Sequence, residues 1–254
     1  MFKLISSVAI LLMLIFTLIL SSPLRADVHD PVVLIAGTGA DVGAMMPLAR
    51  HLRHKRRTVH IVDLVDKGFA RTDVSVAKIS AFIDRVLASE GVTEVDVLGW
   101  SQGAHIARRY LQTHGTDKVD TLVMLGSPTY EWQWMTYLYG FTKGHCLTLG
   151  NCTDQHSGSQ VLQEMNGGLD MPYGVKVVNV WTDFDFIVTP PGHVSKLRDG
   201  NTGSQYSIQS VCPARWVGHF GLVNDRIAHR IADTALRNQH PRWWWDCFSF
   251  SHIF

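Results

Sequence analysis

Val95-Asp96-Val97-Leu98-Gly99-Trp100-Ser101-Gln102-Gly103-Ala104-His105-Ile106 is the stretch on which the fold turns. Residues 95–98 form a short, mostly apolar run of strand length, and residues 103–111 carry apolar side chains at helical spacing. Between them, Gly99-Trp100-Ser101-Gln102-Gly103 fits the pattern G-x-S-x-G. Alone that pattern is weak, because Gly and Ser are common residues. At a strand-to-helix junction it is specific: the chain must turn sharply there, and side chains on either flank would collide with the strand or the helix. Glycine at 99 and 103 removes those collisions. Ser101 is then held exposed at a helix N-terminus, where partial positive charge favours a developing anion. Ser101 is the candidate nucleophile.

The same alternation repeats on both sides of this stretch. Upstream, residues 32–36 and 58–62 read as strands, and Met45, Met46, Leu48, Ala49 and Leu52 suit one face of a helix between them. Residues 74–88 carry a second stripe at Val76, Ile79, Phe82, Ile83, Val86 and Leu87, with Asp73 placed to cap the helix and Gly91 to stop it. Downstream, residues 121–125, 175–181 and 205–208 read as further strands and 227–236 as a closing helix. Strands alternating with helices predict an α/β domain, a mostly parallel sheet with helices on both faces, because each parallel connection needs a crossover. Such sheets place ligands beyond the carboxyl ends of their strands. Residues 27–240 carry this pattern without an internal repeat. Residues 130–174 interrupt it with a long segment that reads as irregular and holds Trp132, Trp134, Tyr137, Tyr139 and Phe141. Loops of that length are usually functional or disordered. Its aromatics either pack on the core or form a lid over the site.

A serine hydroxyl is a weak nucleophile at neutral pH and needs a base. The chain has thirteen histidines. The base is expected after the last strand, where loops converge on the nucleophile. Val217-Gly218-His219-Phe220-Gly221 stands there, with glycine on both sides to let the loop come close. His219 is the candidate base, and the other histidines read as surface or core residues. A carboxylate past the fifth strand must orient the imidazole and stabilise its protonated form. Asp183 and Asp185 both qualify, and on an extended segment they point the same way. The strand ends near residue 181, so Asp185 stands further out toward His219 and is the candidate acid, with Asp183 the alternative. The oxyanion needs preorganised donors. One is the backbone N–H of Gln102, and the other comes from the loop Gly37-Thr38-Gly39-Ala40. Those glycines lack the spacing of a dinucleotide site and the Gly-Lys of a P-loop, so nucleotide binding is not expected.

Composition narrows the class further. The formal net charge is +1, which argues against a nucleic-acid partner. The basic run of residues 51–57 reads as the solvated end of a helix. Lys3 followed by the apolar residues 4–20 and small residues up to Ala26 describes an export signal, residues 1–26, with an uncleaved membrane anchor as the alternative. In an exported chain the four cysteines, Cys146, Cys152, Cys212 and Cys247, read as two disulfides in any of three pairings. They lack the paired C-x-x-C of a zinc site, and no metal is expected. The tail, 241–254, carries Trp243-Trp244-Trp245. Those rings either pack on the domain or seat the protein at a lipid–water boundary.

Taken together, the elbow, the opening Pro31-Val32-Val33-Leu34-Ile35-Ala36-Gly37, the stretch Gly158-Ser159-Gln160-Val161-Leu162 with Asn166, Asp185-Phe186-Ile187-Val188, and Val211-Cys212-Pro213 ahead of Gly218-His219-Phe220-Gly221-Leu222 resemble a known family. The chain is similar, over about residues 31–236, to the small bacterial triacylglycerol lipases of the α/β-hydrolase fold, the class 2 lipases. The resemblance implies a reduced, six-stranded version of that fold. It implies Asp185 as the acid, Thr38 as the second oxyanion donor, and lipase or esterase activity without a cofactor. Where the family usually has His before the loop glycine, this chain has Ala36. The expected activity is hydrolysis of ester bonds in lipid-like substrates, with no obligate protein partner. Acyl transfer to an alcohol on the same triad is one alternative, and a non-catalytic relative that binds lipid or a partner is another.

Overall fold

The structure is a computed structural model that describes residues 29–237 and residue 247. The segment read as an export signal and the run Trp243-Trp244-Trp245 lie outside the described residues.

Six strands form one sheet: β1 (Val32–Ile35), β2 (Val59–Val62), β3 (Val95–Trp100), β4 (Val119–Leu125), β5 (Lys176–Trp181) and β6 (Ser204–Ser207). Their order is β2-β1-β3-β4-β5-β6, and every pairing is parallel. The helices are α1 (Met46–His54), α2 (Thr72–Glu90), α3 (Gln102–His114), α4 (Gln133–Phe141), α5 (Gly150–Gln155), α6 (Gln160–Asn166), α7 (Ile208–Val211) and α8 (Arg226–Ala235).

The inner strands β1, β3, β4 and β5 are largely apolar on both sides of the pleat because both faces are covered, while the edge strands β2 and β6 carry polar residues. Val32 and Leu34 of β1 join Leu98, Val123 and Val180 in one cluster with Leu48 and Leu52 of α1 and Ile227 and Ile231 of α8. Val33 and Ile35 point the other way. They meet Val97, Leu122 and Val177, with Ile79 and Ile83 of α2 and Ile106 and Leu111 of α3. Each such side chain contributes about 1.5–3 kcal/mol through burial. The strand order reverses between β1 and β3, and loops leaving a reversal diverge to open a crevice. The two loops there carry Gly37-Thr38-Gly39 and Ser101.

Three local expectations are corrected. Asp73 does not cap α2: the helix begins at Thr72 with Arg71 at the cap position. The acceptor comes from far along the chain instead, since Thr72 N–H donates to Asp154 Oδ2 at 2.6 Å. Gly91 does stop the helix, at φ 67°. The basic run does not end wholly in water, because Arg57 is buried, pairs with Asp96 at 3.1 Å and donates to Leu236 O. Segment 130–174 is not irregular. It holds α4, α5 and α6, whose turns are too short to show a periodic stripe. Met135, Cys146 and Cys152 give it a small core of its own. Cys146 is disulfide-bonded to Cys152, and Cys212 to Cys247.

One buried cation fastens that segment to the sheet layer. Arg108 of α3 is fully buried. It donates to Asp170 O at 2.5 Å, Thr129 O at 2.9 Å and Met165 O at 2.7 Å, and pairs with Asp170 Oδ1 at 3.1 Å. Arg108→Leu removes the buried cation that faces Asp170 Oδ1 and the donor to Thr129 O, while Met165 O and Asp170 O keep Gln112 and Asp170 Oδ2 keeps Tyr130 and the N–H groups of Arg198 and Asp199. It should cost about 3–5 kcal/mol in urea unfolding; a loss below about 1 kcal/mol would remove Arg108 as the anchor.

Candidate active site

Ser101 sits between β3 and α3 at φ 54°, ψ −126°, a backbone conformation costly for a residue with a side chain. The glycines on either side explain how the chain tolerates it. A Cβ at Gly99 would lie 2.4 Å from Ala104 N, and one at Gly103 would lie 2.4 Å from Ile35 O and 2.6 Å from Ala36 O. No side chain fits at either position, so α3 can start directly against β1.

The three residues selected from the sequence meet at this turn. Ser101 Oγ lies 2.8 Å from His219 Nε2, and His219 Nδ1 lies 2.7 Å from Asp185 Oδ2. A carboxylate only accepts, so Nδ1 carries the proton and Nε2 is left to accept from the Ser101 hydroxyl. The other Asp185 oxygen accepts Ile187 N–H at 2.9 Å and Val188 N–H at 2.8 Å, which fixes the carboxylate's orientation. Asp183 is turned elsewhere: it is exposed, and its Oδ1 accepts Trp181 Nε1–H at 3.1 Å.

Neighbouring contacts hold the loop of His219. Thr182 Oγ1 donates to Val217 O at 2.6 Å, tying the loop of Asp185 to that of His219. Trp100 Nε1 donates to His219 O at 3.3 Å, and its ring lies 5.7 Å from the imidazole. Gly126, at φ 60°, lies beneath the imidazole; a Cβ there would sit 3.3 Å from His219 Nδ1 and 2.8 Å from Leu222 Cδ1. These supporting groups come from four separate chain segments, and no local pattern marked them in the sequence.

The loop after β1 reaches the same point. At Gly37 a Cβ would stand 3.0 Å from Ser101 Cβ. Ala36, where the resembled family has His, is buried, and its N–H donates to Val62 O at 3.1 Å as an extension of the sheet. Thr38 follows, and its hydroxyl donates to the Gln102 side-chain oxygen. Gln102 opens α3, and the first N–H groups of a helix have no acceptor within it. The structure thus brings Thr38, Gln102 and the three selected residues into one place. His105, on the same helix, plays no part there: burial, reinforced by Arg108, pushes its pKa down to about 3 and keeps it neutral.

The residues that gather carboxylates lie elsewhere. Among the described residues, Asp30, Asp96 and Asp120 have oxygens within 4.8 Å of one another. They lie at the amino ends of the strands, opposite Ser101, where Arg57 pairs with Asp96 and Lys176 with Asp120. Burial raises the Asp96 pKa to about 7 against the pull of Arg57.

The parallel sheet and its elbow define the class: the chain has the α/β-hydrolase fold, and the family model of that description matches residues 30–143. Among solved structures, lipase B of Aspergillus fumigatus superposes on 87% of this chain with a TM-score of 0.71 at 18% identity. The match takes in 55% of that lipase, so the chain spans about half its length. A bromoperoxidase from Bacillus anthracis matches 82% of this chain and 92% of its own, with a TM-score of 0.56 at 14% identity. An N-formylmaleamic acid deformylase from Pseudomonas putida matches 80% of this chain and 91% of its own, with a TM-score of 0.55 at 15% identity. Likeness at these identities is a likeness of fold, and a fold hosts many chemistries. No curated protein matches the chain in sequence.

The assignment of the carboxylate is open to direct test. The Nδ1 proton shared between His219 and Asp185 should give a far-downfield resonance in proton NMR. Asp185→Asn should abolish it and Asp183→Asn should leave it in place. The reverse outcome would transfer the role to Asp183.

Proposed function

We propose that the protein is a serine hydrolase that cleaves carboxylic ester bonds in lipid-like substrates through an acyl-enzyme. The line Ser101 Oγ to His219 Nε2 to Asp185 Oδ2, at 2.8 and 2.7 Å, carries this reading. Ser101 Oγ attacks the ester carbonyl carbon while His219 Nε2 takes the hydroxyl proton, and Asp185 stabilises the imidazolium. The backbone N–H groups of Gln102 and Thr38 receive the oxyanion. The tetrahedral intermediate then collapses, the C–O bond to the alcohol breaks, and His219 returns its proton to the leaving oxygen. Water repeats the sequence on the acyl-enzyme and releases the acid. No step asks for a cofactor.

The surface beside the site supports an apolar substrate. Phe184 and Phe186 flank Asp185, Phe220 follows His219, and Trp216 lies ahead of it, all of them exposed. Phe184 stacks on Trp216 at 4.5 Å, and Phe186 meets Phe220 edge-on at 5.8 Å. Trp134, Tyr137 and Phe141 of α4 add further exposed rings. The paired rings beside Asp185 and His219 form an exposed apolar patch of the kind that marks a binding face, here one suited to acyl chains or a lipid–water boundary. Two disulfides fit an oxidising compartment, in keeping with export. No helix among the described residues is long and apolar enough to cross a membrane.

The test is turnover of p-nitrophenyl esters of increasing acyl length and of an emulsified triacylglycerol. Ser101→Ala should reduce turnover by roughly four or more orders of magnitude, and Asp185→Asn by up to about four, with folding retained. Wild-type activity should favour the longer, apolar esters. A folded wild-type protein inert on the whole series, or a Ser101→Ala variant of near-normal activity, would overturn the proposal.

A further inference from the structure

The loop between β2 and α2 makes contacts that its sequence does not advertise. Asp66, Lys67 and Gly68 lie consecutively in the left-handed region, at φ 47°, 48° and 87°. Two such residues with side chains in succession are uncommon and persist only where surroundings over-determine them. The surroundings here are the oxyanion loop and the start of α3. Lys67 O accepts Gly39 N–H at 2.7 Å, which fixes the backbone immediately after Thr38. Gly68 closes the other side: a Cβ there would lie 3.1 Å from Thr38 Cα and 2.3 Å from Gln102 Oε1, the atom that accepts the Thr38 hydroxyl.

The same loop is gripped at its far end by segment 130–174. Asn151 N–H donates to Phe69 O at 3.3 Å. Gly150 packs so closely on the backbone that a Cβ would lie 2.5 Å from Arg71 N. Asp154, itself buried, pairs with Arg71 at 2.7 Å and accepts Thr72 N–H at 2.6 Å. A continuous path of contacts therefore runs from the Asp154 carboxylate through the backbone of residues 66–72 to Thr38 and the Gln102 side chain.

We propose that residues 66–72 are a positioning element for the oxyanion site, with Gly68 as the contact residue and Asp154 as the anchor. The physical need is specific. Thr38 lies between Gly37 and Gly39, Gly39 being at φ 72°, so its own loop has little stiffness. An oxyanion donor works only if it is aimed before the charge develops. Gly37 holds Thr38 against Ser101 from one side, and Lys67 and Gly68 hold it from the other. Asp154 makes segment 130–174 a support for this clamp. The inference rests on the reading of Ser101 as nucleophile and of the Thr38 and Gln102 N–H groups as oxyanion donors.

The experiment compares wild type, Gly68→Ala and Asp154→Asn with a p-nitrophenyl ester and with a trifluoromethyl ketone, which forms an oxyanion on the serine. Gly68→Ala inserts a methyl group against Gln102 in a backbone conformation that alanine resists. It should lower kcat by about 10²-fold, the order expected for small misplacements in a site. KM should stay within about twofold, and affinity for the ketone should fall in parallel with kcat, as it does when only transition-state binding is lost. Asp154→Asn keeps the side chain's shape and removes its charge; it should shift kcat and ketone affinity together, by less, and decides the matter should Gly68→Ala not fold. An active wild type whose variants keep kcat and ketone affinity, or lose KM alone, would overturn the positioning role and leave the hydrolase reading standing. A wild type inert to ester and ketone alike would overturn both.

Discussion

The whole arrangement depends on one close approach between two backbones. Gly103 at the start of α3 lies against the carbonyl oxygens of Ile35 and Ala36 at the end of β1, at a distance that admits no Cβ. That contact lets the chain leave β3 and enter α3 within one residue, and forces the one residue, Ser101, into a left-handed conformation. It also presses the loop after β1 onto the same turn, so that Gly37 meets Ser101. The strand order reverses between β1 and β3, so the contact lies where the connecting loops of such a sheet diverge and ligands ordinarily bind.

From that point the chain brings in groups at increasing sequence distance. Asp185 and His219 arrive on the loops after β5 and β6, joined by the Thr182 hydroxyl. Segment 130–174 arrives last in a structural sense. Arg108 ties it to α3 from below, and Asp154 ties it to the start of α2. The Arg108–Asp170 pair is buried and carries additional hydrogen bonds, the form in which removal of a partner is most costly; at the second attachment Asp154 is buried, Arg71 is exposed, and the Thr72 N–H is the other partner. A segment fastened at these two places is part of the site's framework.

The division between what the sequence disclosed and what it withheld follows the range of the interactions. Strands and helices were legible because their apolar periodicity is local, and Ser101 because its elbow is a five-residue pattern in a local context. Asp185 and His219 were legible from their order and their place after strands. Asp154 was not, because its partners Arg71 and Thr72 are 83 and 82 residues away and nothing near it signals a cap. Asp73 looked like that cap, being adjacent, and proved to lie in the first turn. Arg57 looked solvated by composition and is buried by a partner, Asp96, on another strand. The exposed rings of Phe184, Phe186, Trp216 and Phe220 form a patch only when two loops from different strands come together.

The central claim is that one serine, activated by this geometry, is the nucleophile. It is tested most directly by titrating the protein with a p-nitrophenyl phosphonate, following ester turnover, and mapping the adduct by peptide mass spectrometry. One phosphonyl group per chain is expected, on the peptide that carries Ser101, with activity lost in proportion to its incorporation. An adduct on a different residue, or full modification of Ser101 with turnover intact, would contradict it.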